Sequence, residues 1–199
     1  MMHRGSNIGQ CTRLFWLIAA LFCSSAFADD YDPVNRLLRD GQLPQAMAKA
    51  EAYLATNPRD PQMRFLKALI QQDSGQREAA ITSYTALIQD YPELPEPYNN
   101  VAVLYAGNGQ LEKARDALEM ATRNSRSYAT AHENLGDVYA RLAEQSYRQA
   151  LQLDAGNTTL APKLTLIRQL INTPAASRLA PFPGPTTPSA PAKAASATK

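Results

Sequence analysis

Apolar positions recur at helical spacing through most of this chain, and glycine interrupts them at a fixed interval. In residues 95–128, Tyr98, Val101, Ala102 and Tyr105 fall on one face of a first helix. Asn108-Gly109 reads as a turn, and Ala114, Leu118 and Ala121 line the inner face of a second helix. Gly41, Gly75 and Gly109 are 34 residues apart, and each is followed five positions later by alanine: Ala46, Ala80 and Ala114. Proline stands seventeen positions after the first two glycines, at Pro58 and Pro92. The pattern predicts an all-α chain of helix–turn–helix units over residues 27–60, 61–94, 95–128 and from 129 onward.

A period of 34 with this distribution of large and small residues resembles the tetratricopeptide repeat family, whose helix pairs stack into a solenoid. The fourth unit opens His132-Glu133-Asn134-Leu135-Gly136-Asp137-Val138-Tyr139, which is similar to the family's first-helix pattern. The first two units match in their second helices and depart in their first, where Lys67 and Gln71 replace the usual leucine and tyrosine. There the core is read from Phe65, Leu66, Leu69 and Ile70. Small residues (Ala46, Ala80, Ala102, Ala114, Gly136) are expected to let helices approach closely. Asp32-Pro33 and Asp60-Pro61 read as helix starts, an acceptor at the cap and proline at the first helical position.

The fourth unit departs from the period. Tyr139-Ala140-Arg141-Leu142 runs straight into Ala143-Glu144-Gln145-Ser146-Tyr147-Arg148-Gln149-Ala150, so five residues are missing against the other units, the turn glycine among them. An antiparallel helix pair needs a loop of about 2–5 residues. Residues 129–153 are therefore expected to form one continuous helix, about 37 Å long at 1.5 Å per residue. Its apolar stripe runs through Leu135, Tyr139, Leu142, Ala143, Tyr147, Ala150 and Leu151. Residues 158–171 carry Leu160, Leu164, Ile167 and Ile171 at helical spacing, as a terminal cap would. Two readings cover the stripe: that cap, or a homodimer in which fused helices cross through Tyr139, Leu142, Tyr147 and Leu151.

The ends have other compositions. Arg4 and Arg13, the apolar run Leu14–Phe22 and Ala26-Phe27-Ala28 before Asp29-Asp30 read as a secretory signal peptide cleaved after Ala28. The run is short for a membrane span, which needs about 20 residues, so no span is expected in the mature chain. A lipoprotein at Cys23 would want a small residue where Phe22 stands. Cleavage would remove both cysteines, Cys11 and Cys23, and the single tryptophan, Trp16, and bring the formal charge from +2 to 0. No basic patch points to nucleic acid. Residues 29–172 remain as the repeat domain. Residues 173–199 hold six prolines and no acidic residue, a composition expected to stay disordered. Leu179-Ala180-Pro181-Phe182-Pro183 is a candidate docking motif within it.

Little here points to an enzyme, and no cofactor or metal site is read. His132, the histidine outside the leader, is expected to be a packing residue. Glu133 and Asp137 lie four apart on one helix face, at positions the family uses for its groove. That resemblance implies a peptide-binding groove along the first helices, formed by Phe65, Leu69, Asn99, Asn100, Val103, Glu133, Asn134 and Asp137. Asn100 and Asn134 match the asparagine with which the family contacts a ligand backbone, since an amide both donates and accepts. Gln62, Glu96 and Thr130 stand where a clamp for C-terminal carboxylates would require lysine. A mixed apolar and acidic groove suits an extended peptide with basic or apolar residues. The chain resembles exported repeat proteins of Gram-negative bacteria, which implies a periplasmic scaffold or adaptor for a protein of the cell envelope. Cell division, cytochrome maturation and pilus or outer-membrane assembly all remain open. The alternative is a structural protein that self-associates through the fused helix.

Overall fold

A computed structural model describes residues 31–172, and these form eight helices. In chain order they are α1 (Tyr31–Arg39), α2 (Leu43–Thr56), α3 (Pro61–Asp73), α4 (Arg77–Asp90), α5 (Pro95–Gly107), α6 (Leu111–Asn124), α7 (Ala129–Leu153) and α8 (Leu160–Ile171). Residues 1–30 and 173–199, which include the expected signal peptide and the candidate docking motif at 179–183, lie outside the described residues.

The periodic glycines make the turns within each unit. Gly41, Gly75 and Gly109 have φ of 70°, 75° and 73°, a left-handed conformation that side chains with a Cβ resist. At the third turn the Gly109 amide donates to Ala106 O at 3.1 Å and the Gln110 amide to Tyr105 O at 2.9 Å. That pair of bonds is the Schellman closure, and it recurs at Gly41-Gln42 and Gly75-Gln76. Turns between units are made differently. Asp60 caps α3 by accepting from the Met63 amide at 2.6 Å, with Pro61 as the first helical residue. Asp32 departs from its expected cap role, because α1 is already running at Tyr31 and Asp32 lies in its first turn. Tyr31 instead anchors α1, donating to Asp60 Oδ2 at 2.7 Å. Neighbouring inter-unit turns are tied together: the Tyr91 hydroxyl donates to the Arg59 carbonyl, and Asn124 Nδ2 to Pro92 O at 2.7 Å.

Helices pack on their sequence neighbours, and first helices of adjacent units also meet, α1 with α3 and α5 with α7. The core is accordingly a chain of linked clusters. Val34, Ala46, Ala50, Met63, Leu66 and Ile70 form the first. Phe65, Ala68, Leu69, Ala80, Tyr84, Leu87, Val101 and Leu104 form the second. Tyr98, Ala102, Ala114, Leu118, Ala121 and Val138 lie in the third. Ala46, Ala80 and Ala114 are each 0% exposed, which is the close approach their spacing predicts. Lys67 and Gln71 stay at the helix edge, where Lys67 meets Glu51 at 3.0 Å and Gln71 Oε1 accepts from Ser83 Oγ at 2.7 Å.

The fused helix is present: α7 runs unbroken for 25 residues. The cap is present too. α8 packs on α7 with Leu160 and Leu164 buried and Ile167 and Ile171 half-buried. Glu144 of α7 accepts from Arg168 of α8 at 3.0 Å and from Arg148 at 2.6 Å, and Lys163 lies 5.8 Å from the Tyr147 ring centroid.

Two residues of α7 depart from expectation for one reason. Tyr98 and Ala102 of α5 are buried against Ala114, Leu118 and Ala121 of their own second helix, α6. The matching residues 34 positions on, His132 and Gly136, have no second helix of their own, because it has been fused into α7. Both are exposed. His132 is thus not a packing residue; its Nε2 lies 3.2 Å from Arg126 O. Nor does Gly136 provide a close approach, since a Cβ built there meets nothing within 4 Å.

Candidate functional site

The first helices α5 and α7 meet directly, and α3 joins α5 through the second core cluster, on the face that a solenoid of helix pairs turns inward. The expected groove residues all lie on them, in two different situations. Phe65 and Leu69 of α3 are 5% and 4% exposed, and the Phe65 ring packs 5.7 Å from that of Tyr84. Asn99, Asn100 and Asn134 are buried as well, a correction to their reading as open groove contacts. Their amides are engaged with one another: Asn134 Nδ2 donates to Asn99 Oδ1 at 2.8 Å, Asn99 Nδ2 to Asn100 Oδ1 at 3.1 Å, and Asn100 Nδ2 to the Tyr84 hydroxyl at 3.1 Å. This ladder stitches α7, α5 and α4 together, so a peptide backbone reaching these amides would have to share or displace those bonds. Satisfied polar networks of this kind fix the register of what they join.

The more open part of the face lies on α7 and the adjoining edge of α5. Glu133 is exposed, and Val103, Asp137, Glu96 and Thr130 are half-buried. Glu96, Glu133 and Asp137 make this rail acidic, with Arg141 one turn beyond Asp137. Burial raises the Asp137 carboxyl above its ordinary value, Glu133 pushes it the same way, and Arg141 opposes. Tyr128 is likewise raised, chiefly by burial and then by Glu96, so its hydroxyl stays neutral. Among the described residues no group of three or more His, Cys, Asp or Glu is placed to hold a metal ion. No helix among them is long and apolar enough to cross a membrane.

The residues proposed for self-association are mostly covered. Leu142, Tyr147 and Leu151 are half-buried, Leu142 against the third core cluster and Tyr147 beside Lys163 of α8, whereas Tyr139 is 47% exposed and donates to Glu119 at 3.0 Å. Sequence reasoning passed over Tyr84, the far end of the ladder. Its signal was an aromatic in the second helix at the position that Leu118 holds 34 residues later.

Comparison with known proteins agrees with this geometry. The tetratricopeptide repeat family model matches residues 31–95, 65–129 and 100–158. A chloroplastic tetratricopeptide repeat domain-containing protein of Arabidopsis thaliana, PYG7, is 26% identical over 135 residues, which is 65% of this chain and 38% of that protein. A probable biofilm formation methyltransferase of Pseudomonas putida, WspC, is 29% identical over 93 residues, 47% of this chain and 22% of that protein. This chain therefore spans well under half of either relative. Among solved structures, a repeat protein of Thermus thermophilus superposes with a TM-score of 0.54 at 26% identity, covering 72% of this chain and 82% of that one. The Yersinia enterocolitica type III secretion chaperone SycD, in complex with a peptide of the translocator YopD, has the same fold, with a TM-score of 0.52, 17% identity and coverage of 56% and 91%. The glycine-closed turns, the alanine-lined helix pairs and a family match across more than half of its length agree: this chain belongs to the tetratricopeptide repeat family.

Proposed function

We propose that this chain is a non-enzymatic adaptor that holds an extended basic and apolar peptide segment of a cell-envelope protein on the face of α5 and α7. The observation that carries the reading is that Glu96, Glu133 and Asp137, with Val103, stay at least partly open to solvent on the first helices α5 and α7. Lysine or arginine of a peptide would meet the carboxylates, and alternate apolar residues would meet Val103. The peptide held by the Yersinia chaperone shows that a protein of this fold can carry one. The leader pattern of residues 1–28 supports export to the periplasm. Self-association through the fused helix is the weaker reading, because α8 occupies the half of α7 that it would use.

The test is fluorescence anisotropy with two labelled twelve-residue peptides, one alternating lysine and valine and the other glutamate and valine. The lysine peptide is expected to bind, more weakly as salt rises, and the double substitution Glu133→Lys with Asp137→Lys is expected to abolish binding while leaving the thermal unfolding midpoint near that of the parent. Equal binding of both peptides, or binding that survives the charge reversal, would reject the reading.

A further inference from the structure

We infer that the acidic rail has an occupant within the chain itself: the C-terminal segment around Arg178 and Leu179–Pro183, which docks there and competes with a partner peptide. The inference rests on the rail being a peptide site, as proposed above, and adds what regulates it.

Three observations converge. The first is where the described chain ends. Ile171, the last residue of α8, lines the same cleft as Arg141 of α7 and Ala106 at the end of α5. Arg141 follows Asp137 by one helical turn, so the chain leaves α8 beside the end of the rail. The second is reach. Phe182 is ten residues beyond Asn172, a span of up to about 33–36 Å when extended. Neighbouring helix axes are about 8–10 Å apart, so the segment can lie across α7 and α5 with length to spare. The third is charge. Residues 173–199 contain Arg178, Lys193 and Lys199 and no acidic residue, whereas the rail presents Glu96, Glu133 and Asp137 against Arg141. Leu179 and Phe182 are the large apolar side chains of the segment, and they flank Ala180-Pro181. Proline on either side of Phe182 favours an extended backbone, the form a groove ligand takes.

A tethered ligand of this kind works through effective concentration. A short covalent connection holds the segment near the rail at an effective concentration of roughly millimolar, so a weak intrinsic affinity is enough to occupy it. A partner peptide then binds with an apparent constant weakened by the fraction of time the rail is open. The outer face of α8, with Leu166 and Leu170 exposed, is the nearest competing surface for the segment, but it presents no acidic side chain.

The experiment uses the full chain with a benzophenone photo-crosslinker in place of Phe182, irradiated at dilution, with the crosslinked peptides mapped by mass spectrometry. The expected result is crosslinking within one molecule to Val103, Glu133, Asp137 or their neighbours. Its yield should fall several-fold when Arg178→Glu or Glu133→Lys is added. Crosslinks to α8, crosslinks only between molecules, or none at all would overturn the inference. In parallel, the Arg178→Glu, Phe182→Asp chain is expected to bind the lysine–valine peptide about three- to tenfold more tightly than the parent. Unchanged affinity together with absent crosslinks would defeat the tethered occupant and leave the adaptor reading standing. Intramolecular crosslinks at the rail with no peptide binding to either chain would defeat the adaptor reading alone.

Discussion

Two glycines of this chain respond to a methyl group in opposite directions. Gly136 sits inside α7, exposed, with nothing within 4 Å of a Cβ built on it. Gly136→Ala is therefore expected to stabilise the protein by about 0.5–1 kcal/mol, since alanine restricts the unfolded chain and favours the helix. Gly109→Ala also finds open space, but its φ of 73° is strained for any side chain. A loss of about 1–2 kcal/mol is expected there. Urea unfolding of the two variants checks both signs, and a stabilising Gly109→Ala would contradict the turn geometry. The asparagine ladder belongs to the same scale. Asn134→Ala removes the donor that meets Asn99 at 2.8 Å inside the protein, and a loss of about 1–3 kcal/mol is expected by the same measurement. The sequence could place Asn100 and Asn134 at equivalent repeat positions. It could not show that Asn99, one residue out of that register, would join them and turn two apparent ligand contacts into a ladder shared by three helices.

At the scale of elements, the junction of α7 and α8 decides how the solenoid ends. Leu164 is 6% exposed against α7, and Leu164→Ala is expected to cost about 2–5 kcal/mol, read as a lower unfolding midpoint. Glu144 ties the same pair of helices. The hydrogen bond from Arg168, aided by Arg148, holds its carboxyl below the ordinary glutamate range even though burial pushes it up. A depressed folded value means that the unfolded chain binds the proton first. The stabilisation is then present above the ordinary glutamate pKa and is lost as pH falls through the folded value. Glu144→Gln should remove that part of the acid sensitivity of α8 docking, and an unchanged pH profile would show that the pair contributes nothing. The fusion of the fourth unit was legible because a missing turn leaves a five-residue deficit against a fixed period. Its consequence for His132 and Gly136 was not, because a single sequence reads each position by its repeat equivalent, and here the helix that normally covers those positions had been removed.

For the whole molecule, the helix order, the glycine turns and the cap follow from a 34-residue period and its one interruption. The openness of the inner face does not, since burial along α3 and α5 depends on how the units stack. What remains accessible is concentrated on α7, and there the charge is negative. Asp137 titrates above the ordinary aspartate value because of burial and Glu133. As pH falls through that raised value the rail loses a charge, so binding of a lysine-bearing peptide should weaken at a pH higher than an unperturbed aspartate would give, and Asp137→Asn should remove that inflection. Anisotropy titrations across the acidic range check it.

Backbone amide shifts in the full chain on addition of the lysine–valine peptide show directly where a peptide sits on the solenoid. With the rail as the peptide site, the perturbed amides cluster on α5 and α7 around Val103, Glu133, Asp137 and Arg141. Perturbation centred on Leu153, Leu166 and Leu170, or no perturbation at saturating peptide, would contradict it.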